Sequence, residues 1–103
     1  MICVTVFYAN TPGKKFDHDY YQQKHVPLAK ERLATAGMLR CEVDRGLSGA
    51  LPGSPAPSVC VCRFYFSSVD EFGKAFQAHA PELLADLPKF TDIQPDFQVS
   101  QTT

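Results

Sequence analysis

Apolar residues recur along the chain with two different periods, and the points where the period changes mark out the elements. Residues 2–9 are β-branched and aromatic and predict a first strand. Asn10-Thr11-Pro12-Gly13 closes it with turn chemistry. Asp17 then stands as a helix N-cap, and Phe16 before it is placed to staple onto Tyr21. A helical pattern continues to about Ala36, and Gly37 supplies the stop. Pro27 lies inside that pattern and lacks an amide donor, which predicts a kink or a split into two helices. Residues 38–47 alternate again, with Leu39, Cys41 and Val43 against Arg40, Glu42 and Asp44. Residues 46–57 hold three glycines and three prolines and predict an exposed loop.

The strongest strand pattern covers Ser58 to Phe66. Ser68-Val69-Asp70-Glu71 reads as a capping box, opening a helix with Val69, Phe72, Phe76 and Ala80 on one stripe. Pro81 suits the start of a further short turn, with Leu83, Leu84 and Leu87 continuing the apolar face. Residues 96–101 form a last strand in which Phe97 and Val99 share a face. The order β-α-β-β-α-β predicts an α+β, ferredoxin-like domain. Right-handed crossovers place both helices on one face of a four-stranded antiparallel sheet.

Two strands are apolar on both sides. Ile2, Val4, Val6 and Tyr8 oppose Cys3, Phe7 and Ala9, while Val59, Val61 and Tyr65 oppose Cys60, Cys62, Phe64 and Phe66. Helices cover only one face, and an antiparallel sheet open to water carries polar residues on the other. A second copy packed sheet to sheet is the simplest cover, loops and the carboxyl terminus being the alternative.

Composition narrows the function. The 103 residues suit one domain spanning 1–103. Ten basic against eleven acidic residues give a net charge of −1, so no overall field favours nucleic acid or an anionic membrane. The first residues lack the basic flank of a secretory signal, and no stretch has the length of a membrane span. A cytoplasmic protein with reduced thiols is expected. Cys3, Cys41, Cys60 and Cys62 all fall in strand patterns, where cysteine packs as a small hydrophobe. Cys60-Val61-Cys62 has no second pair at zinc-site spacing, so no metal is expected. No phosphate-cradling loop or nucleophile elbow is present, and no cofactor is expected.

The segment Tyr21-Gln22-Gln23-Lys24-His25-Val26-Pro27-Leu28 resembles the Tyr-x-x-x-His-x-Pro-Leu stretch of the EthD family, within the dimeric α/β-barrel superfamily. The likeness continues through Pro55-Ala56-Pro57, Phe64-Tyr65-Phe66, Ser68 to Phe72, and Phe90-Thr91-Asp92-Ile93-Gln94-Pro95. Ser58 departs from it, standing where relatives often carry an aromatic, which alters one wall of the expected cavity. The loop from Gly49 to Pro55 is also lengthened. The resemblance implies a dimeric α/β barrel, with a cleft between each sheet and its helices. The name-giving members accompany enzymes of alkyl ether degradation. Looser relatives include lactone isomerases, polyketide cyclases and cofactor-free monooxygenases.

His25 is the leading chemical candidate. At helical spacing it shares a face with Tyr21 and Leu28, and an imidazole beside a phenol in an apolar cleft moves protons near neutrality. The competing reading is a buried histidine bonded to a carbonyl freed by Pro27. His79, near the end of the second helix, fits a dipole-capping role, and His18 is expected on the surface. Tyr8, Leu28, Phe64, Phe66, Phe76 and Asp92 are the expected substrate contacts, Asp92 reaching the cleft mouth unless it serves only as a turn residue. Two functions are consistent with these residues. One is a cofactor-free enzyme of catabolic or secondary metabolism, in which His25 moves a proton on a small apolar carbonyl, lactone or phenolic compound and Tyr21 donates to its oxygen. The other is a non-catalytic carrier of a hydrophobic metabolite, accessory to a partner oxygenase.

Overall fold

A computed structural model describes residues 1–103. The elements are β1 (Ile2–Ala9), α1 (His18–Tyr20), a π turn (Tyr21–His25), α2 (Val26–Ala34), β2 (Arg40–Arg45), β3 (Ser58–Phe66), α3 (Val69–Ala85), a 3₁₀ turn (Leu87–Lys89) and β4 (Asp96–Gln101). The four strands form one sheet in the order β2-β3-β1-β4, with every neighbouring pair antiparallel. This is the α+β, ferredoxin-like arrangement that the element order predicts. No helix is long and apolar enough to cross a membrane.

Local chemistry sets the boundaries. Asp17 accepts a hydrogen bond from the amide of Tyr20, and Phe16 packs against Tyr21 with ring centroids 5.1 Å apart. Ser68 caps α3 by accepting from the amide of Glu71. Gly37 comes after α2 at φ +106°, a left-handed conformation that side chains with a Cβ avoid, and Met38 bonds back to the Leu33 carbonyl.

Both prolines behave otherwise than their spacing suggests. Pro27 neither splits nor ends its helix. The chain passes from α1 through the π turn directly into α2, and Pro27 lies in the first turn of α2, where the backbone ladder passes from the π to the α register. Pro81 likewise opens no new turn but lies inside a continuous α3. It sits on the solvent side, where the carbonyl one turn earlier can bond to water. α2 stops at Ala34 and β2 spans Arg40–Arg45, both shorter than their sequence patterns.

The helices cover the sheet face that carries Ile2, Val4, Val6 and Tyr8. One part of the core gathers Ile2, Val4, Ala29, Leu33, Phe66 and Ala75, and the other includes Val6, Tyr8, Tyr21, Cys60, Cys62 and Phe90. The opposite face is more mixed than the strands alone suggest. Phe7, Ala9, Val59 and Val61 lie half-buried along its middle. Beside them Arg63 spans Glu42 and Asp44 on β2, and Arg40 stacks its guanidinium over the Tyr65 ring at 4.2 Å. On the other edge β4 presents Asp96, Gln98 and Ser100.

Candidate functional site

The loop before the first helix is clamped to the segment before β4. The amide of Asp17 donates to the Phe90 carbonyl at 2.7 Å, that of Lys15 to Asp92 at 2.8 Å, and the buried Thr91 hydroxyl to the Lys15 carbonyl at 2.6 Å. These bonds fix where the helix starts, and the π turn then decides which side chains face the sheet. A π turn takes in an extra residue and so rotates the helix after it relative to the helix before it. Tyr21, His25, Val26, Ala29 and Leu33 are thereby all buried against the sheet.

Between these helices and the sheet lies a cavity of about 60 Å³ lined by 18 residues, 16 of them hydrophobic. Tyr8, Tyr21, His25, Phe64 and Phe76 line it. Three other expected contacts do not. Leu28 is turned off the inward face by the π turn and stays half-exposed. Phe66 is 0% exposed within the core, packed on Phe72 at 5.5 Å. Asp92 holds the Lys15 amide in an open polar groove outside Leu84, Leu87 and Pro95. Ser58 pairs with Ala9 at the end of β3 and forms no wall of the cavity.

His25 is the one nitrogen-bearing side chain in the lining, 8% exposed. Its ring stacks on Tyr21 at 5.6 Å and lies 4.6 Å from Phe90, which is itself fully buried. The Nδ1 atom is 2.9 Å from Asp86 Oδ2, and no backbone carbonyl takes that place. Tyr20 donates its hydroxyl to Asp86 Oδ1 at 2.9 Å, and Lys89 Nζ lies 3.5 Å from the same oxygen. Burial opposes the charge on Asp86, but the bonds from His25 and Tyr20, with Lys89 nearby, outweigh it and hold the carboxyl below the usual carboxylate range. An ionised carboxylate only accepts, so a hydrogen bond at this contact calls for N–H at Nδ1. Nε2 has no partner within the chain, and no enclosed side-chain nitrogen or oxygen goes unpaired, so this atom is not fully enclosed.

The hydroxyls of Tyr8 and Tyr21 belong to residues only 3% and 2% exposed. Burial foremost, then the neighbouring Cys62 and Cys60, pushes both phenols well above their ordinary range, so both keep their protons. The Tyr21 hydroxyl lies beside the Cys62 and Cys60 thiols, and sulfur is a weak acceptor. Both tyrosines line the same apolar cavity as His25. Burial also raises the Cys60 thiol to about 11. The bond to Cys41, and then burial, raises Cys62, so neither thiol is a ready nucleophile.

The other histidines stand apart. His18 is half-buried against Phe16 at 4.6 Å rather than free on the surface, and burial, then Arg45, lowers its pKa. His79 lies half-buried in α3 outside the cavity lining. All four cysteines are free, and no three His, Cys, Asp or Glu side chains are grouped to hold a metal ion.

Asp86 and Phe90 are site residues that no sequence pattern singled out for chemistry. Phe90 carries no periodicity of its own. Asp86 carries one signal: an acid at the C-terminal end of a helix faces the negative end of the dipole, where a base is preferred.

Comparison with known proteins places these features in a family. The EthD domain family model matches residues 13–94. An EthD-like protein from Ralstonia eutropha JMP134 is 38% identical, with a TM-score of 0.90 over 97% of this chain and 89% of that one. A dimeric ferredoxin-like protein from an uncultured marine organism is 13% identical, with a TM-score of 0.65 over 100% of this chain and 95% of the other. A cofactor-independent oxygenase from Streptomyces nogalater is 14% identical, with a TM-score of 0.60 over 99% and 91%. At such identities the last two show a shared fold. No curated protein matches the sequence.

Proposed function

The chain belongs to the EthD family, and from that premise we propose that it catalyses proton transfer, without a cofactor, on a small neutral compound held in the cavity. The observation that carries this reading is the position of His25. His25 lines an otherwise apolar cavity, its Nδ1 is paired with Asp86, and its Nε2 has no partner within the chain. The fold shared with a cofactor-independent oxygenase supports chemistry done by side chains alone.

Each group then has a task. Nε2 takes a proton from the substrate, and the imidazolium formed is stabilised by Asp86. The phenols of Tyr21 and Tyr8, kept protonated by burial, donate to the oxygen on which negative charge develops. No lysine or arginine lines the cavity, so a substrate anchored by carboxylate or phosphate finds no partner there. A small carbonyl, lactone or phenolic compound fits: apolar over most of its surface, with one oxygen and one acidic proton. Phe76 and Phe97, 38% and 45% exposed and 5.9 Å apart, border the cavity between α3 and β4 and are the side chains to move on entry.

A second copy is the proposed partner. Phe7, Ala9, Val59 and Val61 form an apolar band along the helix-free face, and the marine neighbour of the same fold is dimeric.

The test is a panel of small cyclic ketones, lactones and phenols incubated in D₂O, with products and exchange read by NMR and mass spectrometry. Wild-type protein is expected to exchange or convert at least one class, and His25→Gln to do so about 10²–10⁴-fold more slowly. Binding without exchange or conversion would instead make the protein a carrier. Full turnover by His25→Gln would remove the imidazole from the reaction.

A further inference from the structure

Immediately after the last residue of α3 comes a side chain that contributes nothing to the helix it caps. Asp86 puts a negative charge where the helix dipole opposes it and buries that charge, two costs with no return in helix stability. A residue that breaks local preference in this way points to a role outside its own element. Asp86 is held from three other elements: by His25 from the π turn, by Tyr20 from α1 and by Lys89 from the 3₁₀ turn.

We propose that Asp86 is a positioning residue that locks His25 in the Nδ1-protonated tautomer, and that Tyr20 and Lys89 fix which carboxylate oxygen faces the imidazole. Its catalytic consequence rests on the function proposed above, but the tautomer does not. The geometry divides the carboxylate. Oδ1 receives the Tyr20 hydroxyl and faces the Lys89 ammonium, and a lysine ammonium can only donate. Oδ2 is left to His25, whose ring is held in plane by Tyr21 on one side and Phe90 on another. The imidazole therefore meets an acceptor and must present N–H to it, which leaves Nε2 as the acceptor toward the cavity.

The division of the two oxygens makes a specific prediction for Asp86→Asn. Tyr20 and Lys89 both offer protons at the Oδ1 position, so the asparagine carbonyl is drawn there. Its amide NH₂ then faces His25 Nδ1. A donor at that place forces Nδ1 to accept, and the proton moves to Nε2, where it blocks the lone pair. In the double variant Tyr20→Phe/Asp86→Asn the amide loses one of the two donors that orient it and regains freedom to turn its carbonyl toward the ring.

Long-range ¹H–¹⁵N spectra of the full chain with ring-labelled histidine, recorded at alkaline pH, read the tautomer directly and need no substrate. Wild-type His25 is expected with a protonated Nδ1 and an unprotonated Nε2. Asp86→Asn is expected to reverse the two, and the double variant to shift the balance back toward Nδ1–H. On a substrate found by the D₂O panel, Asp86→Asn is expected to lower kcat about 10²–10⁴-fold with little change in KM. A wild-type spectrum showing Nε2–H overturns the proposal whether or not any variant folds. So does an Asp86→Asn spectrum unchanged from wild type. A reversed tautomer together with full activity of His25→Gln would leave Asp86 as the ring's positioner and reject the proposed reaction instead.

Discussion

Buried hydroxyls without strong protein partners and a histidine held by one nitrogen set the chemistry at the scale of the residue. Removing the hydroxyl in Tyr21→Phe leaves the ring stacked on His25 and deletes one donor to the oxyanion of the proposed reaction. We expect kcat to fall about 10²–10³-fold with the thermal midpoint nearly unchanged, measured on a substrate from the D₂O panel. Asp86 gives a second prediction, one that concerns stability. Its folded pKa lies below the unfolded value, so its contribution is fully present above the ordinary aspartate range, roughly pH 4. That contribution disappears as the pH falls through the lower folded value. The groups facing the carboxylate are His25, Tyr20 and Lys89, with Glu82 opposing it from within α3. Urea midpoints of wild type and Asp86→Asn are expected to converge as the pH drops below about 4. A gap that widens below about pH 4 would contradict the lowered carboxyl pKa. Of these residues, Tyr21 and His25 were legible from their spacing and from the family segment. Asp86 is 61 residues from His25, and nothing local links them.

The element that most shapes the site is the π turn from Tyr21 to His25. Ordinary helical spacing puts Tyr21, His25 and Leu28 on one face. The wider turn brings Val26 inward and displaces Leu28, and the neighbouring Pro27, without an amide, falls where the backbone ladder changes from one register to the other. Proline at that place was visible in the sequence, but the sequence does not say whether a helix answers it with a kink, a break or an extra residue. Capping obeyed local rules and was legible. Ser68→Ala removes the acceptor for the Glu71 amide and is expected to cost about 1 kcal/mol. Gly37→Ala places a Cβ at φ +106°, 2.5 Å from Glu71 Oε2, and is expected to cost about 1–2 kcal/mol. Each loss lowers the melting midpoint by about 4–8 °C per kcal/mol in a domain of this size, read by calorimetry or circular dichroism. A Gly37→Ala protein as stable as wild type would mean that the turn relaxes to another conformation.

For the whole molecule the helix-free sheet face is decisive. Phe7→Asp and Val61→Asp each put a charge into its apolar band while leaving the helix-side core untouched, and both are expected to shift the proposed dimer toward monomer in sedimentation or multi-angle light scattering. Unchanged assembly in both variants would move the interface elsewhere. By itself the sequence determined the four strands, their order along the chain, the caps and the two-sided apolar strands, because each depends on neighbours within a few residues or on the two-residue period of a strand. It also determined that an imidazole and a phenol share a helical segment. Only the tertiary structure decided which side chains enclose the cavity, that Phe66 belongs to the core and Asp92 to the outer groove, and that the helix-free face is flanked by charge on β2. It alone brought Asp86, from the far end of α3, onto His25. Contacts of that kind arise from how two helices lie across one sheet, and the interatomic distances they require have no trace in the local sequence pattern.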